Sequence, residues 1–178
     1  MSTSPPDSMI RDFRRDFGRH RTLVEKSLAD LSDEQFFHKP GSAVNEIALI
    51  VKHVAGNLRS RWTDFLNSDG DKPDRNRDQE FVITPSDTRE NLMAAWASAW
   101  QTVDATLAGL VDADLSKAVT IRGEPHTVLQ ALVRSATHTS YHAGQILYLA
   151  RWLSPDAEWR TIPPGGSQQH GPGKYLRS

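Results

Sequence analysis

The chain has 178 residues, long enough for one sizeable core and short for two. Its 21 basic and 22 acidic residues give a formal net charge of -1, which predicts neither a nucleic-acid nor a membrane partner. It has no cysteine, which excludes disulfides, Cys-ligated zinc and a cysteine nucleophile; any metal site must be built from His, Asp, Glu and water. No apolar run reaches the length of a membrane span, and the first twenty residues lack the apolar stretch of a signal peptide, so a cytoplasmic protein is expected.

The pattern is helical along nearly the whole chain. A first helix is predicted from about Asp7 to Leu31, with Ile10, Phe13, Phe17, Leu23, Val24 and Leu28 on its apolar stripe. "KPG" after His38 marks a turn. A second helix is predicted to open near Ser42, with Glu46 close to its start, and to run through "NEIALIVKHVAGNLRSRWTDFL". Gly56 in its middle costs about 1 kcal/mol of helix propensity relative to Ala, which suggests close approach by another helix or a ligand. The stretch "NSDGDKPDRNRDQEFVITPS" has no periodicity and is long for a connection.

A third helix is expected from an N-cap at Ser86 or Asp87 to about Leu110, with Met93, Trp96, Trp100, Val103 and Leu107 at helical spacing. "VDADLSKAVTIRGEPHT" reads as a turn with a short extended piece around Val119 to Ile121. A fourth helix runs from about Thr127 to Leu153, and residues 156–178 form a Gly/Pro-rich tail after a bundle domain spanning 1–155. Four long helices make an all-α four-helix bundle. A helix of about 25 residues is roughly 37 Å long. The long second connection can return that distance, which allows an up-down-down-up order.

The chemistry sits on the second and fourth helices. In "HTSYHAGQI", His138 and His142 are four residues apart, so both imidazoles can reach one point; Tyr141 and Gln145 flank them. This spacing also occurs in half-exposed, hydrogen-bonded histidines. On the second helix Glu46, Ile50, His53, Asn57 and Ser60 share a face, and His53 is the candidate third ligand. Three imidazoles on a divalent ion leave a coordination position open, whereas Glu46 as a fourth ligand would close it. An open site can acidify water, polarise a carbonyl or hold a thiolate, and its imidazoles should release the metal as pH falls below about 6.

Asn57 is a candidate for orienting water or substrate, and equally for an interhelical hydrogen bond. Tyr141 reads as a packed residue with a polar tip sooner than as an acid. Of Arg59 and Arg61, one can bind a substrate carboxylate, although pairing with the acidic connection is the favoured reading. Trp62, Trp96 and Trp100 fit core or dimer packing. "FRRDFGRHR" is a solvated helix face, and His20, His38, His126 and His170 lack matching partners. "GPGK" in the tail lacks the rest of a phosphate loop.

A histidine in the second helix and H-x3-H in the fourth resemble the DinB/YfiT-like superfamily. The stretch "LIVKHVAGNLRSRWTDFLNSDGDKPDRNRDQEF" is similar to a subgroup of uncharacterised bacterial members, and the likeness extends from about Met9 to Leu153. The resemblance implies an up-down-down-up bundle, a zinc or nickel ion on His53, His138 and His142, and frequent dimers. It also implies a metal-dependent enzyme acting on a small molecule, as a thiol S-transferase using a low-molecular-weight thiol or as a hydrolase. The alternative is a non-catalytic metal-binding or dimerisation bundle. Catalytic residues stay open, with Asn57, Tyr141 and Arg59 as candidates.

Overall fold

The computed structural model describes residues 8–166. It contains α1 (Met9–Ala29), a one-turn α2 (Asp33–Phe36), α3 (Ile47–Trp62), α4 (Arg89–Gly109), the hairpin strands β1 (Ala118–Ile121) and β2 (Glu124–Thr127), and α5 (Val128–Leu153). The chain is therefore mostly helical, with a small two-stranded sheet, and its four long helices share one apolar core. The tail from residue 167 onward, including His170 and "GPGK", lies outside the described residues.

Local chemistry explains each boundary. Ser8 caps α1 by accepting from the Arg11 amide. The capping box of Ser32 and Gln35 starts α2, a helix absent from the periodicity reading, and drives Phe36 fully into the core. The second long helix starts later than Ser42. Residues 41–44 close a tight turn, with the Val44 amide donating to the Gly41 carbonyl at 3.3 Å, and the extended Glu46 is the N-cap. It stops at Trp62 because Asp64 turns left-handed (φ 47°), so Phe65 stacks on Trp62 from a turn at a ring separation of 5.2 Å.

α4 is capped by Thr88, with Asn91 donating at 3.1 Å, and not by Ser86 or Asp87. The Asp87 carboxylate is engaged elsewhere, accepting from Lys52 Nζ at 2.8 Å and from the Thr84 amide at 2.7 Å, which ties the connection to α3. β1 and β2 are joined by Arg122 and Gly123, both at positive φ (57° and 74°), the conformation that suits a two-residue hairpin. Asp69 secures that turn by accepting from both their amides, at 2.8 and 2.7 Å. Thr127 and Gln130 form the capping box of α5.

The core is dominated by Phe17, Trp62, Trp96 and Trp100, each at most 2% exposed. Each such side chain contributes about 2–3 kcal/mol on burial. Two indoles meet polar partners: Trp62 Nε1 donates to Ser135 Oγ at 3.0 Å, and Trp96 Nε1 to Glu25 Oε1 at 3.1 Å. Between helices, Arg21 pairs with Asp104 and Arg89 donates to the Leu28 carbonyl, while Thr106 Oγ1 donates to the Trp62 carbonyl. Past α5, Arg160 pairs with Asp30, so the first part of the tail packs on the end of α1. No helix among the described residues is long and apolar enough to cross a membrane.

Candidate metal centre

His53 comes from the middle of α3, and His138 and His142 from successive turns of α5. One ring nitrogen from each lies within 4.8 Å of the others, and among the described residues this is the group of three or more potential ligands able to share an ion. The ring centroids are 4.5 Å apart for His138 and His142, 5.2 Å for His53 and His138, and 5.0 Å for His53 and His142. His53 Nε2 and His138 Nε2 are 3.2 Å apart. Two nitrogens bound tetrahedrally to zinc sit about 3.3 Å apart, so this pair already has the spacing of two ligands.

The outer hydrogen bonds fix the rings. His53 Nδ1 lies 2.8 Å from Glu80 Oε2, a carboxylate oxygen that can only accept, so Nδ1 is the donor there and Nε2 is the nitrogen turned toward the other two histidines. His142 Nδ1 donates in the same way to the Gln145 carbonyl oxygen at 2.8 Å, and Gln145 Nε2 donates on to the Tyr141 hydroxyl at 3.1 Å. His138 Nδ1 is buried with no partner. Burial, reinforced by His142, His53, Arg75 and Arg61, pushes the His138 imidazole down to about 3. Burial also lowers His142. Both rings are therefore neutral at pH 7, the form that binds metal.

Glu80 lies in the 3-10 turn Asp78–Phe81 inside the aperiodic connection. It accepts from Arg75 Nε at 2.8 Å and Arg75 Nη2 at 2.9 Å, a two-pronged pair. Burial raises its carboxyl, but the hydrogen bonds from His53 and Arg75 outweigh it and hold the group below the usual range. Gly56 explains how the carboxylate gets there: a Cβ at that position would stand 2.4 Å from Glu80 Oε1. The close approach expected at this glycine is made by a side chain from the connection. Sequence reading missed Glu80 because its loop has no period; the signal present was the mid-helix Gly56.

The other candidates separate. Asn57 is buried at 9% exposure beside His53, lines the same cavity, and makes no side-chain hydrogen bond among the described residues. Tyr141 is 62% exposed, its ring edge-on to His142. Arg59 pairs with Asp74 at 2.9 Å and borders a different cavity from the one at His53 and His138. Arg61 lines the cavity at His53 and His138. Glu46, at the N-cap of α3, is seven residues from His53, about 10 Å along the axis, and is not in the histidine cluster. His38 packs against Trp152 and His126 Nδ1 lies 3.0 Å from the Glu124 carbonyl, both apart from the cluster.

A cavity of about 220 Å³ opens directly on His53 and His138, with Trp62, Phe65 and Ile121 on its apolar side. Two of the three donors, His53 and His138, thus border a space large enough for a small molecule.

No curated protein matches the chain. Among solved structures it is similar to the conserved protein of locus from Enterococcus faecalis, at 17% identity and a TM-score of 0.66, covering 84% of this chain and 99% of that one. At this identity the likeness shows the fold alone. The model of the family described as a protein of unknown function (DUF1572) matches residues 6–166. The chain belongs to that family, one of unknown function, and brings to it a cluster of three histidines that can hold a metal ion.

Proposed function

We propose that this chain is a metal-dependent enzyme of the DinB/YfiT-like kind, acting on a small molecule by thiol S-transfer or hydrolysis. His53, His138 and His142 hold a zinc or nickel ion, and the thiol, where one is used, is a low-molecular-weight cosubstrate. One observation carries the reading: three imidazoles converge, two of them, His53 and His138, on the wall of an open cavity, while Glu80 and Gln145 fix His53 and His142 from outside. When bound, such an ion supplies Lewis acidity, which acidifies water or a thiol or polarises a carbonyl. The chain's own groups do the rest. Glu80 holds the His53 proton at Nδ1, Asn57 offers an unengaged amide to substrate, and the aromatic wall excludes water. Tyr141 stays as an outer candidate through Gln145, whereas Arg59, paired with Asp74, borders a different cavity.

The interhelix contacts support an up-down-down-up order. Arg21 with Asp104, and Arg89 with Leu28, run α1 against α4. Lys52 with Asp87, and Trp62 with Thr106, run α3 along α4. Trp62 with Ser135, and His53 with His138, run α5 against α3. We take residues 1–155 as one bundle domain and 156–178 as a tail. The exposed Tyr148 and Trp152 on α5 and the nearby Trp159 favour a homodimer, which sedimentation tests. A cytoplasmic location with no nucleic-acid or membrane partner fits the balanced charge. The non-catalytic alternative, a metal-binding or dimerisation bundle, predicts a metal sealed by protein ligands; the cavity at His53 and His138 favours the enzyme.

Elemental analysis of protein purified without a metal-affinity tag tests the site. Near one equivalent of zinc or nickel in the wild type, lost in His138→Ala, supports it and directs a screen of thiols and esters on the loaded protein. A wild type with no metal, and no uptake of zinc or nickel at neutral pH, refutes it.

A further inference from the structure

The cavity that opens on the histidines is walled by Arg61, Arg75, Arg77, Arg122 and Arg134, and no carboxylate lines it. Three carboxylates stand near these arginines outside the lining. Glu80 is taken by Arg75 and His53. Asp71 is shared by Arg122 at 3.0 Å, Arg75 at 3.4 Å and Arg61 at 3.5 Å. A third, Asp69, already accepts from the backbone amides of Asp71, Arg122 and Gly123. Arg77 lies over the Phe81 ring at 4.9 Å, and neither it nor Arg134 has an ion pair among the described residues.

Arg61 is the telling residue. Its side chain is 10% exposed, and its Nη1 is buried without a hydrogen bond, since Asp71 stands near it but out of hydrogen-bonding geometry. A guanidinium withdrawn from water normally satisfies its donors. Its stem is also held in place: a Cβ on Gly70 would stand 3.3 Å from both Arg61 Cδ and Ile121 Cγ1, so Gly70 leaves the room this side chain occupies. Gly70 is itself fixed by its amide donating to the Thr120 carbonyl at 2.8 Å and by Ser60 Oγ donating to its carbonyl at 2.9 Å. Arg61, which lines the cavity, is thus held in place in advance of any ligand, which lowers the entropy cost of binding.

We infer that this cavity takes a small organic anion, its carboxylate or phosphate bound by Arg61 and Arg134 and its apolar body set against Trp62, Phe65 and Ile121. The inference rests on the metal-site reading only in placing the reacting end of that molecule at His53 and His138. Arginine's planar fork suits either oxyanion. The hairpin contributes Arg122 and the apolar Val119 and Ile121, which gives the small sheet a purpose in an otherwise helical chain.

The test is calorimetric titration of the full-length zinc-loaded protein with benzoate, phenyl phosphate and the neutral benzamide. Wild type, Arg61→Met, Arg134→Ala and His138→Ala are compared, with zinc content measured on each. At least one anion should bind about tenfold or more tighter than benzamide, and the tighter of the two names the oxyanion class. Arg134→Ala, an exposed position whose loss spares the core, should weaken that anion about tenfold while zinc content stays at wild-type level. Arg61→Met should do the same. His138→Ala separates anion binding by arginine from direct binding to zinc: arginine-dependent binding persists in it. Benzamide binding as well as the anions, no anion binding in any form, or anion affinity unchanged in both arginine variants overturns the inference. Absence of zinc uptake by the wild type refutes the metal-site reading alone, because the anion titrations of the same protein still decide the cavity.

Discussion

Replacing Gly56 by alanine pits two known quantities against each other. In the middle of a helix the exchange is ordinarily favourable by about 1 kcal/mol, since alanine loses less backbone entropy. At Gly56 the new methyl carbon would sit 2.4 Å from Glu80 Oε1 and 2.8 Å from Glu80 Cδ, separations that no real Cβ tolerates. The carboxylate has nowhere easy to go. It is buried at 7% exposure and held by Arg75 and by His53. Overpacking of this kind costs about 1–3 kcal/mol, and displacing the carboxylate forfeits charge-assisted hydrogen bonds worth about 1.5–3 kcal/mol each. We therefore expect Gly56→Ala to destabilise the protein by about 2 kcal/mol net. Zinc affinity should fall about 10–100-fold, because His53 loses the partner that orients it. Gly18, inside α1 with no atom within 4 Å of a built Cβ, is the matched control. Its exchange to alanine should stabilise by about 0.5–1 kcal/mol. Urea denaturation of both variants beside wild type, followed by zinc titration against a competing chelator, gives both numbers. A Gly56→Ala protein as stable as Gly18→Ala and with unchanged zinc affinity would refute the packing of Glu80 against α3.

Glu80→Gln keeps the shape but removes the charge. It leaves the largely buried Arg75 guanidinium without its full partner, so a stability loss of about 3 kcal/mol is expected in urea melts, with zinc binding weakened at least about tenfold. The pH dependence follows from His138. Its folded constant lies well below the ordinary imidazole value, so the unfolded chain binds the extra proton first. Stability from this group is full above about pH 6.5 and is lost as pH falls toward about 3. Glu80, also lowered, adds a loss that begins as pH falls into the ordinary carboxylate range and continues below it. The metal-free wild type should therefore show a steeper fall in melting temperature between pH 6.5 and 5 than His138→Gln. Equal slopes would show that this ring is not desolvated. Protons also compete less well for His138 than for a free imidazole, so metal release should begin below the pH of about 6 that an ordinary histidine sets.

The helical class, the approximate span of the long helices and the pairing of His138 with His142 were legible from the residues alone. These are properties of one chain segment: apolar residues recurring at helical spacing select a buried face, and residues four apart share a face whatever packs against it. The same logic singled out His53 and the odd Gly56. Boundaries were less legible. Asp87 has the residue type of an N-cap, yet its carboxylate is recruited by Lys52 and Thr84, so Thr88 caps α4. The capping box Ser32–Gln35 was present in the letters but too short to register as a period. The β-hairpin was only half visible, because Arg122 at a turn position becomes interpretable once Asp69 is seen gripping its amide.

Which distant groups meet is set by the packing of the helices and loops. Glu80 is 27 residues from His53, and Asp71 draws three arginines from three different segments. Arg59 and Arg61 are indistinguishable in "NLRSRW", yet the two-residue step along α3 turns one toward Asp74 and the other into the cavity. Contacts made across such separations depend on how loops return over the helices. No periodicity within a segment encodes that path, so the anion cavity and the outer shell of the histidine centre emerge only when the chain is packed.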